Sequence, residues 1–265
     1  MHRRKVISQL AAGLAGSALS AHSQSTPQQL SNTFLELKTW RLHNSAEDQA
    51  ARLSDYLDSG LAPALKRAGG DLIGAFSNVI GPDGPYYVTL AEYPSLSAFQ
   101  ACLTSLGSDA AHLHELQKLS AGSPFPFERV ESSLLRSFDG FPKAAVPASE
   151  EKRPPRIFEL RTYESQSFYT LARKVGMFNN GEMQIFERLQ MRPVFFGETI
   201  VGPRQPNLNY MLSYDDLTAR ENLWHQFGAD PAWKALSSRP ELKDSEIVAN
   251  ISNVILNPLA FSTIR

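Results

Sequence analysis

From Phe34 the chain alternates apolar and polar residues, Phe34-Leu35-Glu36-Leu37-Lys38-Thr39-Trp40. A period of two predicts a half-buried strand over 34–41. Ser45 and Asp48 then form a capping pair for a helix, along which Leu53, Leu57, Leu61 and Leu65 recur every four residues. Pro63 falls inside that helix and is expected to kink it. Two strand-like runs, 72–80 and 86–93, flank Gly81-Pro82-Asp83-Gly84-Pro85, which reads as a hairpin turn. A second helix over about 95–119 and a strand over about 127–136 complete the unit.

The same order follows again: strand 156–163, helix 167–190, hairpin strands 194–201 and 208–214, helix 216–238, strand 248–257. The residues repeat with it. Phe34-Leu-Glu-Leu-Lys-Thr-Trp40 matches Ile157-Phe-Glu-Leu-Arg-Thr-Tyr163 class for class at an offset of 123. From Gly60 onward the offset is 121. It pairs Gly60 with Gly181, Gly81-Pro82 with Gly202-Pro203, Tyr93 with Tyr214, and Gly107, Asp109 and Ala111 with Gly228, Asp230 and Ala232. One register held over that length marks a duplication. The order βαββαβ is the split ferredoxin-like unit, an antiparallel sheet with both helices on one face. Two such units in one chain can cover each other sheet against sheet. On strand one, Leu35 and Leu37, like Phe158 and Leu160, are expected under the helices. Glu36, Lys38 and Trp40, with Glu159, Arg161 and Tyr163, are then expected on the opposite face, towards the other sheet.

The first residues change the picture of length. Arg3-Arg4-Lys5, a short apolar run to about Leu19 and small residues up to Ser23 describe a secretory signal over 1–23, twin-arginine-like, with cleavage after Ser23. An ordinary secretory signal is the alternative. The organisation read from the 265 residues is therefore signal 1–23, flexible leader 24–32, repeat 33–138, Pro-rich linker 139–155 and repeat 156–260. Localisation is expected to be exported and periplasmic. The full chain carries 26 Lys+Arg against 27 Asp+Glu; losing three basic residues with the signal leaves a net charge of −4. That balance, without basic–aromatic interleaving, gives no case for nucleic acid. No stretch is long and apolar enough to read as a stable membrane span. Cys102, the only cysteine, cannot close an intramolecular disulfide and reads as a small buried filler.

The two strand openings F-L-E-L-K-T-W and I-F-E-L-R-T-Y, the Gly-Pro hairpins, the Tyr-x-x-Leu-x-Ala helix starts at Tyr93 and Tyr214, the Gly-x-Asp-x-Ala segments and Asp230-Pro231-Ala232-Trp233 together resemble the NIPSNAP family. The resemblance spans about residues 33–258. It implies membership of the dimeric α/β-barrel superfamily. The expected fold is thus α+β, two tandem ferredoxin-like βαββαβ repeats packed as an intrachain dimeric α/β barrel. It does not imply a reaction, although the superfamily includes monooxygenases and haem-handling enzymes.

Candidate chemistry is sparse. Glu36, Lys38, Trp40, Glu159, Arg161 and Tyr163 are candidates for a ligand pocket between the sheets, or alternatively for a seam of mutual salt bridges. Glu198, within Phe195-Phe196-Gly197-Glu198, is a further candidate acid or base, or a partner of a nearby arginine; its counterpart is Ser77. His43, His112, His114 and His225 show no metal spacing, and GxSxG, P-loop and GxGxxG patterns are missing. Trp224, Phe227 and Trp233 read as core or interface residues of the second helix, not as a cofactor box. No cofactor or metal is expected. The expected partner is a small organic ligand held between the sheets, with homo-oligomerisation open. The alternatives are a barrel-type enzyme and a protein-interaction module.

Overall fold

A computed structural model describes residues 31–44, 48–121, 125–146 and 154–265. The expected signal over 1–23, most of the expected leader, and Ser45 lie outside these residues.

Eight antiparallel strands close into one barrel. The first repeat supplies β1 (Phe34–Arg41), β2 (Asp71–Ile80), β3 (Tyr86–Tyr93) and β4 (Arg129–Ser137). The second supplies β5 (Ile157–Glu164), β6 (Pro193–Val201), β7 (Asn207–Tyr214) and β8 (Asn250–Pro258). The order around the barrel is β1-β3-β2-β8-β5-β7-β6-β4. Each repeat is thus a four-stranded sheet, and the last strand of each also pairs with the second strand of the other: β4 with β6, β8 with β2. Closure leaves no unpaired edge. The expected tandem ferredoxin-like repeats forming an intrachain barrel are what the chain adopts.

The first helix of each repeat is interrupted rather than bent at random. In the first repeat α1 (Gln49–Asp55) passes through a π-helical turn, Tyr56–Leu61, into α2 (Ala62–Arg67). Pro63 has no N–H to continue an α-helical ladder, and the wider turn before it, with Ala62 N–H donating to Leu57 O, absorbs the break. Asp48 caps α1 by accepting from Ala51 N–H at 3.0 Å. The second repeat is broken at the matching place: α5 (Phe168–Met177), a kinked turn Phe178–Glu182 in which Asn180 and Gly181 leave helical dihedrals, and α6 (Met183–Arg188). Gly60 and Gly181 lie in these turns because another helix crosses there. An added Cβ at Gly60 would stand 2.9 Å from Glu115 Cβ, and at Gly181 2.8 Å from Leu236 Cδ2.

The second helix of each repeat is split in two: α3 (Leu96–Leu106) and α4 (Ala110–Ser120), then α7 (Leu217–Ala229) and α8 (Pro231–Ser237). The Gly-x-Asp-x-Ala segments mark the split. Asp109 caps α4 and pairs with Arg67 at 2.6 Å; Asp230 caps α8 and pairs with Arg188 at 2.5 Å. These bonds hold both carboxyls below their usual range: the His112 N–H and then Arg67 at Asp109, Arg188 first at Asp230. A short helix, α9 (Asp244–Ile247), precedes β8 and was not apparent in the pattern.

The expected faces of strand one are reversed. Leu35, Leu37, Phe158 and Leu160 fill the barrel interior with Phe76, Phe195, Met211 and Leu256. Trp40 packs instead with Leu53, Leu57 and Leu65 of the first helix, and Tyr163 with Leu171 and Phe178. Alternation reveals two faces but not which is which when both are covered, and β1 and β5 share the burial pattern of strands enclosed on both sides. The physics assigns them afterwards. The interior offers apolar side chains, whereas the helix side supplies donors that can pair with a buried carboxylate.

Beyond β4 and β8 the chain crosses to the other repeat in matching fashion. Phe138 N–H donates to Phe196 O and Ala145 N–H to Val194 O; Leu259 N–H donates to Ala75 O and Ile264 N–H to Ile73 O. Ile264 is fully buried in the interior cluster and Ala144 packs on it. Part of the Pro-rich segment 139–155 is therefore a strap closing one end of the barrel.

Candidate functional site

Glu159 is fully buried beneath α7. Its carboxylate accepts from Arg220 at 2.6 and 3.0 Å, Arg161 at 2.8 Å, Trp224 Nε1 and Asn253 Nδ2 at 2.9 Å, and Tyr214 Oη at 3.3 Å. Burial pushes this carboxyl up, but the Arg220 and Arg161 charges and the Trp224 bond outweigh it and hold it below its usual range. Arg161 lies 4.5 Å over the Trp224 ring and donates to Tyr163 Oη, which also accepts from the buried Tyr210 hydroxyl at 3.0 Å. Burial raises Tyr210 far above the ordinary tyrosine value.

Next to this network is a second buried charge pair. Lys174 Nζ is 3.0 Å from Glu182 and 3.7 Å from Asp244, over the rings of Phe178, Tyr163 and Trp233. Burial lowers the Lys174 pKa, and Glu182, Tyr163 and Asp244 together more than restore it. Burial lifts the Glu182 carboxyl. Neither residue stood out in the sequence. Comparing aligned positions could have found them, because Lys174 and Glu182 replace Leu53 and Leu61 of the first repeat.

The first repeat carries a lighter version. Glu36 pairs with Lys38 at 3.0 Å and accepts from Ser132 at 3.0 Å and Tyr93 Oη at 3.1 Å. Trp40 Nε1 donates to Thr89, the counterpart of Tyr210. The ion pairs Glu36–Lys38 and Glu159–Arg161 therefore form within each repeat, under the helices. They close no seam between the sheets, and six of the seven candidate residues lie outside the inter-sheet space. Glu198 stands apart from them, half-buried on β6, with its carboxylate 3.8 Å from Arg136 of the neighbouring β4. Trp224, Phe227 and Trp233 join the core of the second repeat, and Cys102 is buried. His112 is buried with both ring nitrogens engaged, by Tyr56 Oη and Leu106 O at 3.0 Å each, so it offers no free nitrogen to a haem iron.

The space between the sheets does hold a cavity, at the hairpin end of the barrel, opposite the straps. It measures about 190 Å³. Its walls come from the residues of β1 and β5 that alternate with the expected ones: Leu37, Thr39 and Arg41, Leu160 and Thr162. The two repeats line it differently. The first contributes Tyr86 and Val88; the aligned residues of the second are Asn207 and Asn209. These amides form a closed polar lattice. Thr162 donates to Asn209 Oδ1 at 2.6 Å, Thr199 to Asn207 Oδ1 at 2.6 Å, and Asn209 Nδ2 donates to both Thr199 and Asn207 at 3.0 Å. At the lip Arg41 lies 4.8 Å over Tyr86, bonds Glu131 at 3.3 Å and donates to Asp83 O at 3.0 Å. Arg204, at the tip of the other hairpin, donates to Ser252 Oγ at 3.4 Å.

Among the described residues, no group of three or more His, Cys, Asp or Glu is placed to hold a metal ion, and no helix is long and apolar enough to cross a membrane.

The fold is shared with solved structures. A candidate monooxygenase from Lactobacillus acidophilus superposes with a TM-score of 0.57 at 11% identity, over 86% of this chain and 94% of that one. One from Fusobacterium nucleatum gives 0.57 at 10%, over 86% and 93%. At such identity the likeness is one of fold. A NIPSNAP family protein from Agrobacterium tumefaciens is 21% identical and aligns with 46% of this chain over its whole length, with a TM-score of 0.40. Among curated proteins none matches the sequence. The family model for NIPSNAP matches residues 158–263, the second repeat.

Proposed function

We propose that the protein binds a small organic molecule in the barrel mouth, between the two sheets. The observation that carries this reading is the cavity itself. It sits where the repeats meet, and it opens in a barrel whose remaining interior is filled by Phe76, Phe158, Phe195 and Met211. Sites of this kind are concave and mostly apolar with a few placed polar groups. The mouth combines apolar floor residues, an amide wall and arginines at the lip. Its volume is below the roughly 300–1,000 Å³ of drug-sized sites, so the ligand is small. The clusters around Glu159 and Lys174, in contrast, are filled by their own side chains.

Native mass spectrometry of protein purified from its own host tests the reading. A bound small mass on the wild type that is lost in Thr39→Phe, which projects a ring into the mouth, supports it. An unloaded wild type, or a mass retained by Thr39→Phe, contradicts it. We propose also that the chain is exported and cleaved after Ser23. N-terminal sequencing of the secreted form should begin at Gln24; an intact Met1 in the mature protein contradicts export by this signal.

A further inference from the structure

The chemistry of the mouth narrows what it can hold. The amide wall has little left to offer a polar ligand. Asn209 spends both N–H groups on Thr199 and Asn207, its oxygen accepts from Thr162, and the Asn207 oxygen accepts from Thr199 and Asn209. A wall satisfied in this way can border an apolar group without leaving a polar atom unpaired. Leu37, Val88, Leu160 and Val254 add apolar surface. Charge is a different matter. Among the described residues the lining holds one carboxylate, Glu131, and Arg41 engages it at 3.3 Å. Arg204, also in the lining, has its hydroxyl partner Ser252 but no carboxylate within ion-pair distance among the described residues. Its counterpart on the first hairpin is an acid, Asp83, so the guanidinium is a property of one side of the mouth and not of the repeat.

Building on the mouth as the binding site, we propose that its ligand is a small organic carboxylate with a compact apolar body, the carboxylate meeting the Arg204 guanidinium and the body resting on Leu37, Val88, Leu160 and Val254. A planar guanidinium suits a carboxylate through paired N–H donors. The volume fits a body of about ten non-hydrogen atoms, well under drug size.

The test is isothermal titration at low salt with phenylacetate, phenylacetamide and 2-phenylethylamine, which share one body and differ in charge. Phenylacetate should bind at least tenfold tighter than the amide, and the amine weakest. Raising salt should weaken the acid and leave the amide unchanged. In Arg204→Gln, checked for an unchanged melting temperature, acid and amide should come within about twofold. Equal binding of acid and amide to the wild type, lost for both in Thr39→Phe, overturns the carboxylate assignment and leaves the cavity reading standing. An acid preference retained by Arg204→Gln likewise overturns it. Failure of all three compounds to bind, or binding untouched by Thr39→Phe, overturns the cavity reading and the carboxylate with it.

Discussion

The two repeats share a backbone and solve the same packing problem with different chemistry. Under its first helix the first repeat places Leu53, Leu57 and Leu61; at the matching positions the second places Lys174, Phe178 and Glu182. Under its second helix the first repeat has Phe99 and an exposed Leu103, where the second has Arg220 and Trp224 anchored on Glu159. The strand carboxylate is common to both, but among the described residues Glu36 has one cation within ion-pair distance and Glu159 has two. A fold set by barrel closure and strand pairing thus tolerates either an aliphatic or an ionic–aromatic layer between sheet and helix. The ionic layer is not by itself the more stable choice, because desolvation of buried charges offsets their attraction.

That comparison can be broken most forcefully at Lys174. Removing Glu182 takes the closer partner from the buried Lys174 and leaves it the exposed Asp244 at 3.7 Å, so Glu182→Leu alone should cost about 3–5 kcal/mol. Lys174→Leu with Glu182→Leu, which copies the first repeat, should recover most of the loss. Urea denaturation of the three proteins checks this; a double variant as unstable as the single one would show that the ionic layer is required there. Next in size, Glu159→Ala should destabilise by about 3 kcal/mol. Glu36→Ala should cost roughly 1–2 kcal/mol, since its cation Lys38 reaches solvent. Equal losses in the same denaturation series would contradict the difference between the repeats.

Acid sharpens the comparison further. The folded pKa of Glu159 is below its ordinary value of 4.5, so its stabilisation is complete above that pH and fades as the pH falls through the folded pKa. Thermal melts across pH 5 to about 2 should therefore show a shallower acid limb in Glu159→Gln than in the wild type. It should not become flat, because Asp109 and Asp230 are depressed in the same direction. Superimposed limbs would remove Glu159 from the account. The smallest effect is expected where the repeats agree. Arg67→Ala and Arg188→Ala each break a surface clasp on a capping aspartate, and each should lower the melting temperature only slightly, by similar amounts.

Most of the fold was legible because it was written twice. Strands 34–41 and 86–93 agree with their expected limits, and the hairpins and helices follow the matched glycines and prolines. The break at Asp109 and Asp230 was visible as a motif, yet its role became clear only with Arg67 and Arg188 beside it, 42 residues away in each case. The candidate site was less legible. Strand one alternates, but both of its faces are buried, and period alone cannot say which face meets the helices. The reversed choice put Glu36, Lys38, Trp40, Glu159, Arg161 and Tyr163 in the barrel, when Thr39, Arg41 and Thr162 line the mouth. Lys174 and Glu182 were hidden for another reason: on a helix with an amphipathic pattern, charged residues are read as solvent-facing, and only the tertiary contacts make them core.

The central claim is that ligand binding belongs to the mouth between the sheets and not to the space beneath the helices. Methyl-detected NMR during titration with phenylacetate tests it most directly. The expected result is shifts confined to Leu37, Val88, Leu160 and Val254, with Leu57 and Leu171 unmoved. Shifts centred on Leu57 or Leu171, with the mouth methyls still, would contradict it.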